Sequence, residues 1–239
     1  MATDRGMFVT FEGGEGAGKS TQIRLLADAL RTRGHDVIIT REPGGSPGAE
    51  ALRHVLLSGA AEDFGVRMEA MLFAAARADH LDCVIRPALM AGQIVLCDRF
   101  VDSSRVYQGV TGNLEPALMA ALERVSIGPS MPDLTLILDL PADVGLARAR
   151  RRAGGAPETE APDRFEKENI DIHEKRRQGF LDIAAREPGR CRIIDASLDV
   201  DRIARDILAE VLLVMAQRLG TGEAQRADGQ PKLTPGVPS

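Results

Sequence analysis

Gly13-Gly14-Glu15-Gly16-Ala17-Gly18-Lys19-Ser20 places glycine, lysine and a hydroxyl at every fixed position of the pattern GxxxxGK[ST], with Thr21 next. The chemistry that needs this spacing is the gripping of a polyphosphate. Backbone N–H groups must close round phosphate oxygens, and a side chain there would hold them off, so glycines line the turn. A helix opening at Lys19 adds partial positive charge at its N-terminus. Lys19 is then placed to bridge the β- and γ-phosphates of a nucleotide, and the Ser20 hydroxyl to ligate Mg²⁺. The bland alternative is a glycine-rich turn that binds nothing; the apolar run before the motif and the helical pattern after it weigh against that. A second acid, Asp98, closes the apolar run Gln93–Cys97, where phosphate-transfer enzymes of this loop class keep a Mg²⁺-organising carboxylate. Arg99 follows at once, at a strand's carboxyl end, where ligands of open α/β sheets bind.

Two other stretches could serve a second substrate. In Val66–Ala91 an apolar stripe of Met68, Met71, Leu72, Ala75, Ala78, Cys83 and Ile85 lies roughly opposite Phe73, Glu69, Arg77 and His80. Phe73 and Arg77 are i,i+4 and share a face, so a ring that stacks and a guanidinium that bonds an exocyclic oxygen could together hold a nucleobase. Packing of Phe73 under another helix is an equal alternative on spacing alone. Asp98–Gly109 gathers an arginine, hydroxyls, an amide and the chain's single tyrosine, Tyr107. There Gln108 can donate and accept, and so read a base edge; a polar surface helix is the plain alternative. Arg148–Arg152 precedes the Gly/Pro-rich stretch AGGAPETEAP and then Asp163-Arg164, which suits an arginine-bearing lid over transferring phosphate. An ordinary solvated helix end would look similar.

These groups need a scaffold of strands and helices. Met7–Phe11, Asp36–Thr40, Gln93–Cys97, Leu134–Leu140 and Cys191–Ile194 read as strands. Helical patterns over Lys19–Arg33, Ala49–Leu57, Val66–Ala91 (adjusted at Pro87), Leu114–Val125, Ala142–Arg152, Arg164–Ala185 and Val200–Leu219 separate them. Such alternation predicts a parallel sheet with helices on both faces, joined by right-handed crossovers. The chain of 239 residues reads as a single domain over residues 1–219, a lid at about 150–164, and a polar, aperiodic tail over 220–239 expected to be disordered. A net charge of -5 and 3% aromatic residues argue against a nucleic-acid partner. No apolar run approaches a membrane span, and no signal segment is visible. Cys83, Cys97 and Cys191 lack any CxxC spacing and suit buried thiols in a reducing cytoplasm.

A phosphate loop alone admits GTPases, motor ATPases and kinases. The guanine-reading NKxD and the switch DxxG occur nowhere in the chain. The ordered series FEGGEGAGKST, TREPGGSPGAE, Arg53, MLFAAAR, LCDRF, DSSRVYQG, an arginine-bearing lid and IIDAS resembles the thymidylate kinase family, from about Met7 to Leu219. That resemblance implies the three-layer P-loop NTPase fold with a five-stranded parallel sheet. It also implies transfer of the γ-phosphoryl of ATP to dTMP with Mg²⁺ as cofactor, and a cytoplasmic homodimer. By matched position it assigns ATP to residues Gly13–Thr21 and metal to Ser20 and Asp98. Glu15 falls near the acceptor's 3′-hydroxyl, and Arg53 and Arg99 on its phosphate. Phe73 stacks on thymine, Arg77 bonds its O4, and Ser104 and Gln108 complete base recognition. Tyr107 crowds the 2′ position of the sugar. Lys19, Asp98, Arg99 and the lid's Arg164 form the catalytic set, with Arg148 and Arg152 as helpers, and Ile193–Ser197 lies beside adenine. A loop without arginine is the bacterial type, whose lid supplies the catalytic guanidinium. Two rivals stay open: another deoxynucleotide or nucleoside kinase, and a P-loop ATPase acting as a switch.

Overall fold

The computed structural model describes residues 5–153 and 168–228. Five strands, β1 (Phe8–Gly13), β2 (Val37–Arg41), β3 (Ile94–Asp98), β4 (Leu134–Asp139) and β5 (Cys191–Asp195), form one sheet in the order β2-β3-β1-β4-β5. Every pairing is parallel. The helices are α1 (Lys19–Arg31), α2 (Pro47–Leu57), α3 (Gly65–His80), α4 (Arg86–Met90), α5 (Val101–Ser104), α6 (Pro116–Ile127), α7 (Ala142–Ala153), α8 (Ile170–Arg186) and α9 (Val200–Asp228).

The period-2 alternation of β1 decides which helix covers which face. Val9 and Phe11 pack with Ile23, Leu26 and Leu30 of α1 and Ile203, Ile207 and Val211 of α9. Phe8 points the other way, into Leu81, Ile85, Leu89 and Phe100, with the Phe8 and Phe100 rings edge to face at 4.9 Å. Beside that cluster Val106 and Ile137 pack on Phe180 and Ile183 of α8. The result is three layers, helix–sheet–helix. Thr10 and Glu12 share the Phe8 face and are fully buried. Thr10 Oγ1 bonds Thr135 Oγ1 at 2.8 Å, so β1 carries a polar row into the interior just below the phosphate loop.

Three departures from the sequence reading bear on function. First, α3 turns its polar side inward: Glu69, Arg77 and His80 are buried, whereas Met68 and Met71 are 40% and 45% exposed. Glu42 meets Arg77 and His80 there, and Ala70, Ala74 and Ala76 are buried beside them, so the Glu42 contacts and small apolar residues together orient the helix. Cys83, on the same outer side, is exposed, unlike Cys97 and Cys191. Second, Val66–Ala91 is not one adjusted α-helix. Leu81–Ile85 is a π-helical turn between α3 and α4, ahead of Pro87, which has no N–H to give to the preceding turn. A second π-helical turn, Arg105–Thr111, carries Tyr107 and Gln108. Third, α9 continues to Asp228, beyond the Leu219 boundary at which apolar periodicity stops. Residues 229–239 of the expected tail lie outside the described residues, as do residues 154–167 and with them most of the expected lid.

Candidate active site

The carboxyl ends of β1 and β3, neighbours at the centre of the sheet, open into a cleft of about 550 Å³. It is lined by Glu15–Thr21 from the phosphate loop, Arg53 from α2, Phe73 and Arg77 from α3, and Asp98–Phe100, Ser103, Ser104, Tyr107 and Gln108 from the segment after β3. Helices on both sides of the sheet therefore bring together residues as far apart as Glu15 and Gln108.

The loop takes its shape from its own packing. Gly16 has φ +69°, and a Cβ there would stand 2.0 Å from the Gly145 carbonyl oxygen of α7. Glycine at this position is needed for contact with a neighbouring helix, not only for an approaching phosphate. Lys19 Nζ donates to the Gly13 and Gly14 carbonyls at 3.1 and 2.9 Å, which holds the ammonium over the loop with a third proton to give. Burial, reinforced by Arg99, pushes the Lys19 ammonium down from its ordinary value.

Ser20 Oγ donates to Asp98 Oδ2 at 2.8 Å. A hydroxyl and a carboxylate, both hard oxygen donors, thus meet beside the lysine. No cluster of three or more His, Cys, Asp or Glu suited to a metal occurs among the described residues. That donor set fits Mg²⁺, which takes one or two protein oxygens and completes its shell with water and phosphate.

Arg99 is held in the left-handed region at φ +66°, an uncommon conformation for a bulky side chain. Its backbone N–H donates to the Phe11 carbonyl at 2.9 Å. The guanidinium then reaches the Gly13 carbonyl, Ser103 Oγ and, at 2.5 Å, Glu15 Oε1. Tyr107 donates its hydroxyl to the same Glu15 oxygen at 2.9 Å. The Tyr107 ring lies 5.2 Å from the Arg99 guanidinium and 4.2 Å from that of Arg176 on α8. Burial alone would raise the Glu15 carboxyl, but Arg99, Lys19 and the Tyr107 hydroxyl bring it down to about 2. Glu15 is therefore ionised across the physiological range.

Glu12 explains why Arg99 can hold its strained turn. Its carboxylate accepts from Phe100 N–H at 2.8 Å, Ser103 N–H at 3.2 Å and Ser103 Oγ at 2.6 Å, pinning the start of α5. Burial first, and the Asp102 charge second, push the Glu12 carboxyl up to about 7. A folded-state value above the ordinary 4.5 favours the folded state at acid pH, and that contribution is lost as pH rises through about 7. Glu12→Gln removes this slope. Its Tm should climb relative to wild type between roughly pH 5 and roughly pH 8 in thermal melts, and parallel profiles for the two proteins would refute the assignment.

On the opposite wall Arg77 Nε donates to Glu42 Oε2 at 2.7 Å, and Nη2 donates to the Phe100 carbonyl and Ser104 Oγ at 3.1 and 3.0 Å. His80 bonds Thr40 Oγ1 at 2.6 Å and Glu42 Oε1 at 3.2 Å, so it is a buried structural group that orients Glu42. Arg53 Nη1 donates to the Pro43 carbonyl at 2.7 Å. Phe73 is half-buried and lines the cleft one helical turn from Arg77, rather than packing under another helix.

The structure thus gathers Lys19, Ser20, Asp98, Arg99, Glu15, Arg53, Phe73, Arg77, Ser104, Tyr107 and Gln108 round one cleft. Arg164 lies outside the described residues, and so does the side chain of Arg152. Arg148 donates to the Ala196 carbonyl at 3.1 Å, which ties α7 to the segment after β5. Sequence reasoning missed Glu12, Glu42, Ser103 and Arg176. Glu42 sits inside the motif TREPGGSP but carries no spacing signal, because its partners Arg77 and His80 are 35 and 38 residues away.

The thymidylate kinase family model matches residues 11–207. The chain belongs to the thymidylate kinase family. A thymidylate kinase of Caulobacter vibrioides is 54% identical over 216 residues, covering 90% of this chain and 99% of the relative. A thymidylate kinase of Nitrobacter winogradskyi is 55% identical over 207 residues, covering 87% of this chain and 88% of the relative. Among solved structures, the thymidylate kinase of Ehrlichia chaffeensis superposes with a TM-score of 0.68 at 31% identity, over 87% of this chain and 99% of that one. Membership in the thymidylate kinase family agrees with the parallel five-stranded sheet and with the loop, DRF and α3 constellations that face the cleft.

Proposed function

We propose that the protein transfers the γ-phosphoryl of ATP to dTMP, giving dTDP and ADP. The observation that carries this reading is one cleft with a phosphate loop at one end and Phe73, Arg77, Ser104 and Gln108 at the other, with Arg99 between them. The acceptor is already an anionic monoester, so the reaction needs no strong general base. It needs two anions brought into line and their charge neutralised. Lys19 holds the donor's phosphates, and Arg53 and Arg99 hold the acceptor's. Mg²⁺, held by Ser20 and Asp98 with substrate phosphates, would supply further charge neutralisation. Arg164 of the lid is the proposed catalytic guanidinium. Glu15 receives the sugar's 3′-hydroxyl. Tyr107 is fixed by its bond to Glu15 and by two flanking guanidiniums, and so presents a rigid edge against a ribose 2′-hydroxyl.

The exposed Met68 and Met71 of α3, with Phe64 at 70% exposure, form an apolar face suited to a second copy of the chain. The homodimer is part of the proposal on that ground. A cytoplasmic setting accords with three cysteines in no disulfide.

Phe73→Ala should raise KM for dTMP about tenfold while leaving KM for ATP near its wild-type value, since one stacking face is lost at one end only. Equal losses for both nucleotides in steady-state kinetics would make Phe73 a packing residue. The overall reading is tested by coupled ADP release with ATP alone and with dTMP, dUMP, dCMP, dGMP or thymidine. Turnover dependent on dTMP is expected. Preference for another acceptor would favour a different nucleotide kinase, and acceptor-independent hydrolysis would favour a switch ATPase.

A further inference from the structure

Gln108 Nε2 donates to Glu69 Oε1 at 2.5 Å, and the two residues are only 1% and 9% exposed. A carboxylate oxygen can only accept, so the edge of the amide that faces Glu69 must be its NH₂. The side chain makes no other hydrogen bond among the described residues, yet it lines the cleft beside Phe73 and Arg77. Glu69, Phe73 and Arg77 follow one another at i, i+4 and i+8 on α3, so carboxylate, ring and guanidinium lie in a single row, with the Gln108 amide set against its first member.

We infer that Glu69 is a specificity-determining positioning residue: by taking the amide's N–H edge, it turns the Gln108 oxygen towards the acceptor base and so selects a pyrimidine with a protonated ring nitrogen. This inference rests on the reading that the base lies against Phe73. Thymine and uracil carry N3–H, a donor, between two carbonyls. Cytosine presents N3 as an acceptor, and an oxygen opposite it leaves two buried acceptors facing each other. Were the amide reversed, its NH₂ would suit cytosine instead. Glu69 therefore fixes the sign of the hydrogen bond without touching the nucleotide. Arg77 reads the neighbouring exocyclic oxygen independently, so some discrimination survives without Glu69.

The test is kcat/KM for dTMP, dUMP and dCMP in wild type, Glu69→Ala and Gln108→Ala. In Glu69→Ala the amide is free to rotate, and the dTMP:dCMP ratio should fall at least about tenfold. The dTMP:dUMP ratio should hold, because the amide does not read the 5-methyl group. A merely structural role would lower all three acceptors together, and an unchanged dTMP:dCMP ratio overturns the inference. Gln108→Ala separates the two levels. If it collapses the ratio while Glu69→Ala does not, only the role of Glu69 fails. If neither variant moves the ratio, the placement of the base fails as well. Should Glu69→Ala not fold, Glu69→Gln keeps the shape but can present either edge of its own amide, and its ratio should fall between wild type and Gln108→Ala; a wild-type ratio there overturns the inference equally.

Discussion

Lys19→Ala should lower kcat by at least ~100-fold, which is ~3 kcal/mol of lost transition-state stabilisation, with folding intact. The size follows from the setting. The ammonium is buried, anchored by the Gly13 and Gly14 carbonyls, and aimed over the loop, so its charge acts in a site where water screens little. Nothing else in the loop carries positive charge, since residues 13 to 18 are glycines, one alanine and one glutamate. The fold should tolerate the change, because α1 is held by Ile23, Leu26 and Leu30 rather than by Lys19. Single-turnover kinetics beside a thermal melt check both halves, and near-wild-type turnover would defeat the assignment of the loop.

Arg99→Ala should lower kcat/KM for dTMP by about 100-fold or more while moving KM for ATP much less. Arg99 joins the two halves of the cleft, since its guanidinium touches the loop at Gly13, the α5 start at Ser103 and the carboxylate of Glu15. Removing it takes a phosphate-binding fork from the acceptor and strips Glu15 of the strongest positive charge holding its carboxylate. Arg99→Lys should not restore activity, because one ammonium cannot reproduce donors spread over a planar fork. Steady-state kinetics with each substrate varied in turn separate this outcome from general damage, which would raise both KM values together.

The scaffold was legible because its strands are short apolar runs and its helices carry strong stripes. All five strands appear within two residues of the segments read from the sequence. The phosphate loop was legible because glycine, lysine and serine at fixed spacing have few other uses. The inward polar face of α3 was not. Periodicity assigns a helix's apolar side to the interior, and here Arg77 and His80 face inward because Glu42, distant in sequence, meets them there. The π-helical turn over Arg105–Thr111 was equally hidden, since one added residue in a turn leaves no trace in composition. That turn sets where Tyr107 and Gln108 point. Glu12, between the strand read to Phe11 and the glycines of the loop, carries no spacing signal, and only the fold brings the Phe100 and Ser103 N–H groups to it across 88 and 91 residues.

The most direct test is a crystal structure of the protein with dTMP bound. The pyrimidine should lie flat against Phe73, with its phosphate between Arg53 and Arg99. A pyrimidine seated anywhere else in the cleft, or a phosphate away from those two guanidiniums, would contradict the placement of donor and acceptor on which the proposed transfer depends.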